Sequence, residues 1–253
     1  MNQAYSPPRP CSCVEVWPPD DTEESVVGTD LHQMTIMNLR WGINEIARAL
    51  APQGGPAPWQ ALSQTVVLGL QRHDGSRYKT MPDIFVYRHP IGQRRGSVTI
   101  SGDGPPALIV EVLSESTYDV DLDLDEGKGY SYARAGVQEY LVLDPTGDIV
   151  PEQGRGWRLE GDTYRPWQPD TDGRWRSGQI AVAFGLEGVL AAVYTLEGER
   201  QLREGEVAEE RARARAELAR RDDELARRDD ELARRDDELA ELRRLVEQLR
   251  QQD

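Results

Sequence analysis

The chain has 253 residues, 45 acidic against 30 basic side chains, a net charge of -15 and a hydrophobic fraction of 38%. That length holds one ordinary domain plus an appendage, and the charge excludes a protein that coats nucleic acid indiscriminately. No apolar run approaches the roughly 18 residues of a bilayer span, so no membrane partner is expected.

Residues 1–22 are proline-rich, without an apolar signal core, and read as a disordered arm; the expected location is cytoplasmic. Cys11 and Cys13 lie in that arm, and their C-x-C spacing lacks the second ligand pair of a zinc site. A folded domain is expected over 23–198. It opens with a helix over 30–50, where Asp30 and Gln33 have capping-box spacing. Ile36, Leu39, Ile43, Ile46 and Leu50 form its apolar stripe, with Met34, Met37 and Trp41 beside it. The stretch Pro52 to Pro58 ends it.

Thr65–Gln71 and Arg77–Tyr87 read as a strand pair around His73-Asp74-Gly75-Ser76. This region gathers Arg72, Arg77, Lys79, Arg88, Arg94 and Arg95 against Asp74 and Asp83, either a phosphate-contacting patch or a solvated hairpin. A strand over Ala107–Leu113 follows, then a helix over 122–135 closed by Gly136. Gly127 and Gly129 weaken that helix, each by nearly 1 kcal/mol relative to Ala. Glu139–Leu143 is a further strand, and Trp157–Glu160 with Thr163–Trp167 flank Gly161-Asp162 as a hairpin. Gln179–Leu196 carries both strand and helix character.

From 206 to 253 the chain turns almost wholly charged. Glu217–Asp223, Glu224–Asp230 and Glu231–Asp237 each read Glu-Leu-Ala-Arg-Arg-Asp-Asp, a heptad repeat. Leu218, Leu225, Leu232, Leu239 and Val246 share one heptad position. The second seam position holds Arg221, Arg228 and Arg235, and becomes apolar at Leu242 and Leu249. A long helix is expected, either a homo-oligomeric coiled coil or a solvated single helix.

Three residues stand out as polar anomalies. Asp83 opens the apolar run Ile84-Phe85-Val86-Tyr87, and Glu111 interrupts a strand that otherwise reads as buried on both faces. A carboxylate there needs a cation, a metal or a raised pKa. Lys128 is one of only two lysines, with Lys79, in a chain that otherwise uses arginine. Lysine is the compact, titratable alternative, so its use hints at chemistry. Two carboxylates from neighbouring strands plus a lysine suit metal-assisted phosphodiester hydrolysis.

These residues sit in Met81-Pro82-Asp83-Ile84-Phe85-Val86-Tyr87, in Pro105–Thr117 and in Lys128–Pro145, which includes Ala133-Arg134-Ala135-Gly136-Val137-Gln138-Glu139-Tyr140. Over these segments the chain resembles the Uma-two family, within the PD-(D/E)XK nuclease-like superfamily. The resemblance implies an α/β fold, a restriction-endonuclease-like mixed sheet flanked by helices, followed here by the long C-terminal helix. It further implies that Asp83, Glu111 and the backbone carbonyl of Val112 bind Mg²⁺ or Mn²⁺. Lys128 would stabilise charge or orient water, with DNA as substrate. A strict E-X-K motif would place lysine at position 113, where this chain has Leu113; the resemblance assigns the role to the following helix. The rival reading is a catalytically weak nuclease fold that acts as a binding or scaffold module through its tail.

Other polar residues carry weaker expectations. Glu45 is a candidate outer contact to a metal, although a surface role is favoured, and His32 reads as a packing or surface residue. Asp119, Asp121, Asp123 and Asp125 read as a solvated acidic loop, because the run lacks the glycine and terminal Glu of a calcium loop. Glu139 and Asp144 read as turn-stabilising. Ser114 has no G-x-S-x-G context, the three histidines form no triad, and no glycine-rich phosphate loop is present.

Overall fold

A computed structural model of the chain describes residues 30–92 and 96–250, excluding the side chains of 245–250. Helix α1 (Asp30–Ala49) leads to strands β1 (Gln60–Leu62), β2 (Val66–Gln71), β3 (Arg77–Thr80), β4 (Ile84–Tyr87) and β5 (Ser97–Thr99). Then come α2 (Ile100–Asp103), β6 (Leu108–Val112), α3 (Tyr118–Leu122), α4 (Lys128–Ala135) and β7 (Glu139–Leu143). Strands β8 (Gly154–Glu160), β9 (Thr163–Trp167), β10 (Trp175–Arg176), β11 (Ala183–Glu187) and β12 (Leu190–Tyr194) precede α5 (Glu204–Arg250). The result is the expected α/β architecture with a mixed sheet and a long C-terminal helix.

The central sheet has the order β1-β4-β6-β7-β8-β9. Its middle pair, β6 and β7, runs parallel, and α3 with α4 forms the crossover between them. Every residue of β4, β6 and β7 is buried, as strands covered on both faces must be. One face, with Ile84, Leu108, Val110, Val112, Leu141 and Leu143, packs on Leu39, Ile43 and Ile46 of α1 and on the β11–β12 hairpin. The opposite face, with Phe85, Ile109, Leu113, Tyr140 and Val142, packs on Tyr132 and Ala133 of α4 and on Val67 and Leu70 of β2. Glu111 shares this second face, since side chains alternate along β6.

Several expectations are corrected. The strand expected over Arg77–Tyr87 is two strands. β3 pairs with β2 in a separate sheet of order β3-β2-β5, and β4 joins the central sheet. Met81-Pro82 is the break, because proline cannot donate to a ladder. The helix expected over 122–135 starts at Lys128, with α3 a separate turn before it. Gln179–Leu196 is resolved as the β11–β12 hairpin. On α1 the stripe ends at Ile46: Leu50 is exposed, as are Met34 and Met37.

The outer edge of β1 is closed by a side chain. Asn44 of α1 donates from Nδ2 to the Ala61 carbonyl at 3.0 Å, and its Oδ1 accepts from the Ala61 N–H at 2.9 Å. At the opposite edge, β9 carries Pro166. The C-terminal helix is tied to the body at its start, where Glu206 accepts from Arg200 at 2.6 Å and from the Arg203 N–H at 2.8 Å. Beyond that it extends alone, with Leu218, Leu225, Leu232, Leu239 and Leu242 each at least half exposed. Among the described residues no helix is long and apolar enough to cross a membrane. The expected N-terminal arm, Cys11, Cys13, Arg94, Arg95 and the side chains of Val246 and Leu249 lie outside what is described.

Candidate active site

The antiparallel register of β4 on β6 pairs Ile84 with Val110, so its continuation brings Asp83 opposite Glu111 and Pro82 opposite Val112. Past the end of β4 the ladder is completed by side chains. The Val112 N–H donates to Asp83 Oδ2 at 2.8 Å, and the Asp83 N–H donates to Glu111 Oε2 at 3.1 Å. Pro82 has no N–H, so it supplies no ladder donor to the Val112 carbonyl. Two carboxylates therefore meet beside the Val112 backbone where the sheet opens.

Helix α4 covers Glu111. Tyr132 donates to Glu111 Oε1 at 2.6 Å, and Lys128 Nζ lies 3.4 Å from the same oxygen. Lys128 Nζ is closer still to Asp121 Oδ1, at 2.9 Å. Tyr140 donates to the Asp121 carbonyl at 2.7 Å, which fixes the α3 backbone. From α1, His32 Nε2 approaches Asp83 Oδ2 at 3.3 Å.

The glycines that weaken α4 as a helix are what permits this packing. A Cβ on Gly127 would lie 2.4 Å from the Val120 carbonyl oxygen, and one on Gly129 would lie 2.5 Å from Leu124 Cδ2. The segment 120–124 thus lies directly against the first turn of α4 and carries Asp121 to Lys128. Glu111 and Asp121 are each 1% exposed and Lys128 is 7% exposed, whereas the Asp83 side chain keeps 20% of its surface.

Three carboxylates face one ammonium. Burial pushes Glu111 up to about 8, and the charges of Asp121 and Asp83 push the same way against Lys128 and the Tyr132 hydroxyl. Burial likewise pushes Asp83 up to about 6, against the Val112 N–H bond and Lys128. Burial disfavours the Lys128 charge, but Glu111 and Asp121 outweigh it and hold the ammonium above its ordinary value. His32 is held below its ordinary value by burial. Excess negative charge on hard oxygen donors, one of them partly exposed, fits a divalent cation. Among the described residues no group of three or more His, Cys, Asp or Glu side chains forms a metal cage. A magnesium site of two carboxylates, a carbonyl and water does not need one.

The structure therefore brings Asp83, Glu111, Val112 and Lys128 together. It corrects the reading of Asp121, which is buried against Lys128 and not in a solvated loop. His32 is also drawn to the site. Glu45 is not: it pairs with Arg48. Ser114 bonds Ser116 and Thr117 within its own turn. Asp144 accepts from the Gly147, Ile149 and Val150 N–H groups, a turn role. Glu139, read as turn-stabilising, is a buried staple that accepts from Ser177, the Gly178 N–H and Arg158. Of the hairpin cations, Arg72 stacks on Tyr78 at 5.0 Å, and Tyr78 lies near enough to Lys128 to affect its ionisation. A groove of about 530 Å³ between α1 and β1, lined by Arg40, Asn44, Arg48 and Trp59 among others, shares no residue with the carboxylate site.

The sequence model of the Uma2 family, described as "Putative restriction endonuclease", matches residues 43–193, more than half of the chain and the whole of β1 to β11. No curated protein matches the sequence. Restriction-endonuclease-like families generally use divalent metals. The matched span contains Asp83, Glu111, Asp121 and Lys128 within the fold described, and the chain belongs to the nuclease-like Uma2 family.

Proposed function

We propose that the chain is a divalent-metal-dependent endonuclease that hydrolyses DNA phosphodiester bonds. The observation that carries this reading is the meeting of Asp83 and Glu111 at the open end of β4 and β6, linked through the Asp83 and Val112 N–H groups, with the Lys128 ammonium 3.4 Å from Glu111. Asp83, Glu111 and Val112 would hold Mg²⁺ or Mn²⁺. When bound, such an ion supplies Lewis acidity toward a phosphate oxygen and an acidified water. The protein's own groups do the remaining work. Tyr132 and the Asp83 N–H fix the orientation of Glu111, and the Val112 N–H fixes Asp83. Lys128 presents a permanent positive charge beside Glu111, placed to stabilise charge developing on the phosphate.

We also propose that α5 joins copies of the chain. Its leucine row is exposed and repeats every seven residues, so a second helix is the natural cover.

Supercoiled plasmid incubated with the protein and Mg²⁺ or Mn²⁺ tests the first reading. Nicked or linear product is expected from the wild type, with none when the metal is chelated. Asp83→Ala should lose at least about a hundredfold in rate, the scale for removing a principal charge-stabilising group. A wild type that binds Mn²⁺ yet leaves plasmid, linear duplex and single strands intact would favour the scaffold role through α5.

A further inference from the structure

Lys128 has two acidic partners, and they are not equivalent. Its Nζ is 2.9 Å from Asp121 Oδ1 and 3.4 Å from Glu111 Oε1. Glu111 does not need the ammonium for its orientation, because Tyr132 grips Oε1 at 2.6 Å and the Asp83 N–H grips Oε2 at 3.1 Å. The Asp121 carboxylate lies against the Lys128 ammonium, and its charge also reaches His32. The Asp121 backbone is held independently by Tyr140, and the close approach at Gly127 and Gly129 presses its segment onto the turn that bears Lys128.

We propose that Asp121 is a positioning residue that draws the Lys128 ammonium off Glu111, leaving the Glu111 carboxylate available to a divalent cation. The inference rests on the reading of Asp83 and Glu111 as a metal pair. A lysine ammonium has three donors and no acceptor, and when buried it must be paired. With the Asp121 carboxylate replaced by an amide, Glu111 is the remaining carboxylate within ion-pair distance of Nζ among the described residues. The ammonium then closes onto Glu111 Oε1 and competes with the cation for it. With the Asp121 side chain in place 2.9 Å away, the same ammonium is held to the side, within reach of a phosphate bound at the metal pair.

Positioning acts through Lys128, whereas the direct charge of Asp121 on Glu111 and Asp83 does not, and the two are separated by removing the ammonium. Mn²⁺ binding is followed by the electron paramagnetic resonance signal of the free ion. The chains compared are wild type, Asp121→Asn, Lys128→Met and the double variant, with plasmid cleavage rates measured alongside. Asp121→Asn should weaken Mn²⁺ binding about tenfold and slow cleavage about ten- to a hundredfold, the usual range for a partner that orients a metal ligand. In the Lys128→Met background the same change should alter both far less, since no ammonium is left to compete and only the direct charge of Asp121 on the pair remains. Wild-type Mn²⁺ affinity in Asp121→Asn, or a loss that persists undiminished in the Lys128→Met background, would overturn the proposal.

Should Asp121→Asn fail to fold, Asp121→Glu makes the same comparison with the charge retained. It should weaken Mn²⁺ binding by pushing the ammonium toward Glu111, again only while Lys128 is present. Asp83→Ala distinguishes the two levels of inference. If it binds Mn²⁺ and cuts like the wild type, the metal-pair reading itself fails. If it is inactive while Asp121→Asn is unaffected, only the role of Asp121 is lost.

Discussion

Glu111 and Asp83 have a thermodynamic signature that can be read without any substrate. Both are pushed above the usual carboxylate range by burial, Glu111 to about 8 and Asp83 to about 6. The folded chain then holds protons that the unfolded chain releases, so stability falls as pH rises from the usual carboxylate range toward about 8. A divalent cation favours the ionised forms and should offset that loss. Thermal unfolding should therefore show a cation-induced rise in Tm that is larger at about pH 8 than at about pH 6, and a flat difference would detach the carboxylates from metal binding. Lys128 gives a second expectation. Its ammonium sits between Asp121 and Glu111, on a turn that opens at Gly127, where an added Cβ would meet the Val120 carbonyl oxygen at 2.4 Å. A guanidinium is broader and planar. Lys128→Arg should lose cleavage nearly as completely as Lys128→Ala, by about a hundred- to a thousandfold, and Arg at wild-type rates would reduce Lys128 to a plain positive charge. At this scale the sequence was legible where a polar residue broke an apolar run, as at Asp83 and Glu111. Asp121 was not legible, because one aspartate in an alternating acidic run looks solvated. Its burial depends on the approach at Gly127 and Gly129, which is a contact between segments and leaves no periodic trace.

Among the elements, the segment 77–87 shows what patterning misses. Tyr78 and Thr80 before Met81-Pro82 and the apolar run Ile84–Tyr87 after it read as one strand, yet the proline hands the chain from the β3-β2-β5 sheet to the central one. That transfer places Asp83 at the mouth of β4. Buried strands β6 and β7 were legible because their apolar runs are unbroken but for Glu111 in β6 and the leading Glu139 of β7. The tail was legible from its repeat alone, and its helix carries the expected ion pairs, Arg221 to Glu217 at 3.1 Å and Arg235 to Glu231 at 2.7 Å. Its start is set by Glu206, which belongs to the body through Arg200 and Arg203. A truncation after Ala208 should therefore leave the domain folded. Sedimentation should give a monomer for that truncation and a concentration-dependent mass for the full chain, weak because Arg221, Arg228 and Arg235 occupy alternate seam positions. Equal masses for the two chains would make α5 a solitary strut.

For the whole molecule, the net charge of -15 means that any contact with nucleic acid must be local, because a general attraction is absent. It also keeps copies apart, which matters for a sheet with two open sides. Unpaired strand edges are templates that recruit further chains. Here β9 is blunted by Pro166, and β1 is only three residues long. On β1, the Asn44 amide answers both backbone groups of Ala61 and so acts as a counterfeit neighbouring strand. If α5 gathers copies as proposed, it raises the local concentration of those edges to about the millimolar range, where templating is most dangerous. The stopper on β1 and the proposed tether can then be tested together. Asn44→Ala should leave the truncated chain soluble on mild heating but make the full-length chain scatter light, since only the tethered copies hold their unguarded edges within reach of one another.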